Sequence, residues 1–184
     1  MDQEEILNEA VYSPLVLEFL SVAQKFCLFI EEIDRHDKVE IFNALHKALP
    51  LLYVKGSLLP DVIIEDFSIN EKYVTVENWQ DLFNELRKKF GNDDEFWFIE
   101  NDNPHNDLVK GSISDMLTDI FQDMKDFVIL YQKPMRDAKK IAVWEIKELF
   151  KAHWGIRAAN LLKVFHYKLY SDVNDRGPEY FDDF

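Results

Sequence analysis

Four aspartates, Asp115, Asp119, Asp123 and Asp126, follow one another at spacings of four, four and three. On an α-helix these spacings gather them into an arc of about 80°. Carboxylates so placed repel one another, and a hard cation such as Mg²⁺ or Mn²⁺ would relieve the repulsion. A second acidic cluster holds Glu31, Glu32, Asp34 and Asp37. A metal gripped by Asp119 and Asp123 with Glu31 or Glu32 opposite would serve P–O bond hydrolysis, because that reaction needs phosphoryl charge neutralised. Such helical hydrolases pair glutamates closely on both helices. That pairing is absent here, and acidic stripes on helices are mostly solvated faces, which is the leading reading of this one.

A third set is His153, Arg157 and Asn160, whose spacings of four and three put them on one face of an apolar-rich helix. Arginine beside histidine offers N–H donors for a carboxylate or phosphate. The competing reading is an ion pair to a neighbouring helix, at Asp119 or Asp123. Lys163, on the same basic segment, and His105, in a long polar stretch, complete the candidate binding residues.

Other chemistries lack their residues. The Glu-x-x-His halves of a di-iron bundle are missing. The five histidines form no i, i+4 pair and no H-E-x-x-H, which argues against zinc hydrolysis. G-x-S-x-G, phosphate-loop and dinucleotide glycine patterns do not occur. Cys27 sits among Phe26, Leu28 and Phe29, where an apolar setting raises a thiol's pKa and makes it structural. The leading expectation therefore includes no cofactor, with Mg²⁺ or Mn²⁺ as the alternative.

These side chains ride on 184 residues, of which 47% are hydrophobic, enough for one well-buried domain. The net charge of −14 argues against nucleic acid and anionic membranes as partners of the whole chain. The charge reverses locally: residues 134–170 hold eight basic and three acidic side chains. The N-terminus lacks a basic-then-apolar leader, and the most apolar stretch, Leu15 to Ile33, is broken by Glu18, Gln24, Lys25, Glu31 and Glu32. With one cysteine, this fits the cytoplasm.

Helical periodicity dominates. Leu15, Phe19, Val22, Phe26, Phe29 and Ile33 predict the face of a central helix, with Ser13 as its cap and Pro14 at its start. Ile41, Phe42, Leu45, Leu49 and Leu52 predict a second helix from about Lys38, with a kink or break near Pro50. Residues 61–75 read as an ordered connection. Trp79, Leu82, Phe83, Leu86 and Phe90 predict a third helix, closed by Gly91 in a left-handed conformation. Residues 92–111 read as a long irregular loop anchored by Phe96, Trp97, Phe98 and Ile99. Ser112 caps a helix with Ile113, Leu117, Ile120, Met124, Phe127 and Tyr131 on one face. A final stretch from about Asp137 to Tyr170 is one helix or two joined at His153-Trp154-Gly155.

Three segments, FLSVAQKFCLFIEE (19–32), LHKALPLLYVKGSLLP (45–60) and AHWGIRAANLLKVFHYKL (152–169), together resemble a family of bacterial helical proteins catalogued as domain of unknown function 5063. The most distinctive part maps to His153, Trp154, Gly155, Arg157 and His166. The resemblance implies an all-helical single domain of about this length and brings no activity. It suggests a packing role for the glycine: Trp154 needs a small neighbour, and Gly155 would let another helix approach.

The expected fold is an all-α, single-domain antiparallel helical bundle over residues 1–184. It has a kinked second helix, a long C-terminal helix or helix pair, an N-terminal arm (1–12) and an acidic-aromatic tail (171–184). The expected function is non-enzymatic binding of a protein partner, through the basic last helix, the 92–111 segment, or both. The alternative is a metal-assisted phosphohydrolase or a protein that binds a small anion.

Overall fold

Three of the helices begin where a side chain can satisfy their free N–H groups. Asp37 accepts from Glu40 N at 2.9 Å while Glu40 reaches back to Asp37 N at 3.1 Å, opening α2 (Lys38–Ser57) with a reciprocal cap. Thr75 and Asn78 do the same for α3 (Val76–Phe90). Ser112 accepts from Asp115 N and opens α4 (Ile113–Gln132). The first helix, α1 (Pro14–Glu31), starts differently. Pro14 has no N–H to satisfy, and the expected Ser13 side-chain cap is absent; its buried hydroxyl finds no partner among the described residues.

The computed structural model describes residues 10–64, 71–99 and 108–174. After α3 come a two-stranded antiparallel sheet, β1 (Glu95–Ile99) and β2 (Leu108–Ser112), then α4. The chain closes with α5 (Arg136–Leu149), a π-helical turn (Phe150–Trp154) and α6 (Gly155–Asn174). Apart from the small sheet the fold is all-α. No helix among the described residues is long and apolar enough to cross a membrane.

The centre of the bundle is α4, not α1 as its apolar run suggested. It packs against α1, α3, α5, α6 and β2, and fourteen of its twenty residues are buried. The predicted α4 face is buried throughout, as is the predicted α2 face. On α1 the buried set is Val16, Phe19, Ala23, Phe26, Cys27 and Ile30. That face is rotated by about 70° from the one predicted. Large side chains had marked the wrong centre: small Ala23 and Cys27 face the core while Leu15 is exposed. Val11 is fully buried and its carbonyl accepts from the Tyr131 hydroxyl at 2.6 Å, which docks this residue on the core, while Tyr12 beside it is exposed.

Paired contacts give the helix directions. Lys139 meets Tyr131, His153 meets Asp123 and Arg157 meets Asp119, so the last helix runs antiparallel to α4. Phe42 meets Phe165, Tyr53 meets Phe150 and Gly56 meets Trp154, so it also runs antiparallel to α2. Residues 136–174 form one continuous helix, since Leu149, Phe150 and Gly155 all keep right-handed helical dihedrals through the π turn. Helix α2 likewise passes Pro50 without a break and ends at Ser57. Its proline costs the hydrogen bond that the His46 carbonyl would accept.

The small partner of Trp154 is Gly56, not Gly155. A Cβ on Gly56 would lie 2.3 Å from the end of the indole. A Cβ on Gly155 would instead meet the Phe150 carbonyl at 2.3 Å, within its own helix. Gly155 thus admits the widened turn rather than a neighbouring helix.

The segment expected to be irregular is partly a hairpin. Pairing Phe96 with Gly111 and Phe98 with Val109 turns these residues toward the body, leaving Trp97, Ile99 and Leu108 outward. Only Phe96 and Phe98 of the four expected anchors pack on the core. Gly91 has the expected positive φ of 56°, but its ψ of −124° lies outside the left-handed helical region. Residues 61–64 and 71–75 have no regular structure, as expected.

Candidate functional site

The aspartate stripe faces inward. Because α4 is central, three of its four carboxylates meet specific partners instead of water. Asp126 accepts from Tyr73 N at 2.8 Å and Val74 N at 3.0 Å, pinning the connection before α3. Asp123 Oδ2 and His153 Nδ1 share a 2.6 Å hydrogen bond. Asp119 accepts from Trp79 Nε1 at 3.1 Å and from Arg157 Nε at 2.9 Å, with His153 Nε2 3.6 Å away. Arg157 Nη1 donates to the His153 carbonyl at 3.1 Å. Two carboxylates from α4 thus clamp the His153-Arg157 face where the π turn joins α6.

Burial pushes the pKa of Asp123 up, and the His153 hydrogen bond and charge only partly offset it. Burial also raises Asp126, against two backbone N–H groups that lower it. Asp115 has no such partner among the described residues. Burial raises its pKa first, the Asp119 charge adds to the rise, and Arg157 opposes it.

Asp115 and Arg157 open into a cleft of about 830 Å³ between the hairpin, α3 and the last helix. Arg87, Lys110 and Lys151 stand at its rim, Lys110 paired with Glu95 at 2.7 Å and Lys151 with Glu148 at 2.6 Å, while Asn160 adds a polar amide and Phe83, Phe98, Ile99 and Ile156 apolar wall. Within this lining Ile99 and Ile156 are each 54% exposed. Asp94 forms the corner: its buried carboxylate accepts from Ser114 N at 2.7 Å and from the Ser112 hydroxyl at 2.8 Å, tying the hairpin to the start of α4.

The candidates from sequence therefore separate. His153 and Arg157 join Asp119 and Asp123, the internal pairing that competed with a free anion site. Asn160 joins Arg157 in the cleft. Lys163 turns into a different groove, with His46 and His166. Glu31 pairs with Lys125 and Glu32 with Arg35, each at 2.5 Å. Neither faces Asp119 or Asp123, whose partners are Trp79, His153 and Arg157, and no group of three or more His, Cys, Asp or Glu among the described residues could hold a metal ion. His105 lies outside the described residues. The rim cations Arg87 and Lys110 escaped the sequence reading because the packing of α3 places the first and the hairpin register the second, and neither leaves a period in the sequence. Much of the basic charge of that helix is spent internally: Lys147 pairs with Asp61 and Lys168 with Asp93.

Cys27 is buried, and its thiol is pushed up to about 12, chiefly by desolvation. Against an unfolded thiol, three pKa units predict alkylation slower by on the order of 10³-fold in the folded state at pH 8. Iodoacetamide labelling with and without denaturant checks this; equal rates would contradict it.

A profile for a domain of unknown function, DUF5063, matches residues 10–171, nearly the whole described fold. The chain belongs to the DUF5063 family. The crystal structure of protein BF1032 from Bacteroides fragilis is similar to it, with 29% sequence identity and a TM-score of 0.79, covering 88% of this chain and 96% of that one. No curated protein matches. For this DUF5063 chain the all-helical expectation is met, and the His-Trp-Gly-x-Arg run has a physical place: histidine and arginine clamp α4, tryptophan fills the gap at Gly56, and glycine admits the π turn.

Proposed function

We propose that this chain is a non-enzymatic binding protein of the cytoplasm that takes a protein partner at the cleft between its hairpin and its last helix. The observation that carries the reading is that cleft. Its lining combines the two segments singled out for partner contact, 92–111 and the basic helix, and sets exposed apolar side chains beside three rim cations. Exposed isoleucine from two elements next to arginine and lysine is the composition of an apolar interface centre with a charged rim. The polar groups beneath are engaged with one another, which suits a scaffold better than a reactive centre.

Arg157 is a poor site for a test, because it holds Asp119. Lys151 and Ile156 are exposed and outside that network. Lys151→Glu with Ile156→Asp is expected to cut partner recovery from the native cytoplasm at least about tenfold, a loss of ~1.4 kcal/mol, with helicity unchanged. Undiminished recovery would remove the cleft. A Tm rise with phosphate or a dicarboxylate alone, lost in Asn160→Ala, would favour the small-anion reading.

A further inference from the structure

The sequence holds no i, i+4 histidine pair, yet the fold makes a pair across two helices. His46 on α2 and His166 on α6 have ring centres 5.7 Å apart, inclined at 37°. Tyr170, one turn beyond His166, packs against both, with ring centres 5.6 Å from His46 and 5.0 Å from His166. Both histidines line a groove of about 420 Å³ that also holds Lys163 and Tyr167. His46 is half-buried and His166 is exposed, so the pair is fixed at its base and open to water.

We propose that His46 and His166 form a binding site for a divalent transition-metal ion of the Zn²⁺, Ni²⁺ and Cu²⁺ class. Imidazole nitrogen is the ligand these ions favour, and Mg²⁺ does not. The spacing supports it. With metal–nitrogen bonds of ~2.0 Å and about 1.1 Å from each nitrogen to its ring centre, two imidazoles at a tetrahedral angle have centres about 5.1 Å apart. With each ring turned about its side-chain torsions so that a nitrogen faces the ion, the observed 5.7 Å between centres corresponds to an angle of about 135° at the metal.

The backbone already holds the two rings together. Helices α2 and α6 are locked by the Phe42–Phe165 contact on one side and the Gly56–Trp154 contact further along. Much of the entropy of bringing two ligands together is therefore spent in folding. Water supplies the remaining coordination positions. Lys163 opposes a cation in this groove, but its side chain is exposed and free to swing away on its four-carbon stem.

The test uses the full chain with NiCl₂, ZnCl₂ or CuCl₂ as probe and MgCl₂ as control, read by thermal shift and titration calorimetry near neutral pH. Ni²⁺ and Cu²⁺ are expected to raise Tm and bind at one dominant site. His46→Asn and His166→Asn should each weaken that binding at least tenfold, while His36→Asn leaves it unchanged. Both positions reach the surface, and circular dichroism without metal verifies that each variant folds. The Cu²⁺ complex should show nitrogen hyperfine coupling in its electron paramagnetic resonance spectrum, lost in either variant. A Tm rise shared with Mg²⁺, no rise at all, or binding retained in either variant would overturn the proposal.

Discussion

Trp154→Ala should destabilise this protein by ~3–5 kcal/mol, the usual cost of deleting a large buried aromatic. Its indole is fully buried, donates to the Ile146 carbonyl at 3.0 Å, and contacts Phe19 and Phe150. In a domain of this size the loss corresponds to a fall in Tm of roughly 6–20 °C. Gly56→Ala tests the same contact from the other side. A methyl group gains helix propensity, about 1 kcal/mol at most. It must then fit 2.3 and 2.7 Å from two indole carbons that burial and a hydrogen bond hold in place. Overpacking wins, with a net loss of about 2 kcal/mol. In a Trp154→Phe background the crowding ring is gone, so Gly56→Ala should become neutral or stabilising. Denaturant melts of the four proteins measure this coupling, and additive effects would contradict the assigned contact.

His153→Leu should cost about 3 kcal/mol, because it strands the buried Asp123 carboxylate. Asp123→Leu alone should also destabilise, since it removes the anchor of His153. The double variant His153→Leu with Asp123→Leu should cost clearly less than the sum, because no unpaired charge remains in the interior. Urea unfolding of the set decides it. Additivity within about 0.5 kcal/mol would mean the 2.6 Å pair is not coupled.

Both predictions rest on places where the sequence was only partly legible. Helices α2 and α4 could be read from their apolar spacing because Ile41, Leu45, Leu49 and Leu52, or Leu117, Ile120 and Met124, are large and periodic, and all are buried. The same rule misplaced the α1 face, where small residues pack against the centre. Read by itself, the polar stripe of α4 offered metal or solvent, and its pairing through Asp119 or Asp123 came into view only from the His153–Arg157 side, because periodicity cannot say that a helix is surrounded on all sides. Once α4 is central, Asp119, Asp123 and Asp126 must find N–H donors, and Trp79, Arg157, His153 and the Tyr73–Val74 backbone supply them.

The cleft was legible in halves. The basic helix and the 92–111 segment each stood out, but what joins them is the hairpin register and the Asp94 cap. Neither leaves a period in the sequence: β1 and β2 are five residues each, and Asp94 acts on Ser112 and Ser114 eighteen and twenty positions away. The His46–His166 and Gly56–Trp154 meetings are equally non-local. They follow from the antiparallel packing of α2 on the last helix, which no spacing within either helix reveals.

The central claim is that partners bind at the cleft between the hairpin and the last helix. The most direct measurement is site-specific photo-crosslinking in the cell that makes the protein. A photoreactive amino acid would be placed in turn at Ile99, Ile156 and, as a control, exposed Met135 at the α4–α5 turn. The account predicts one shared crosslinked protein from positions 99 and 156 and none from 135. Crosslinking from 135 alone, or from none of the three, would contradict it.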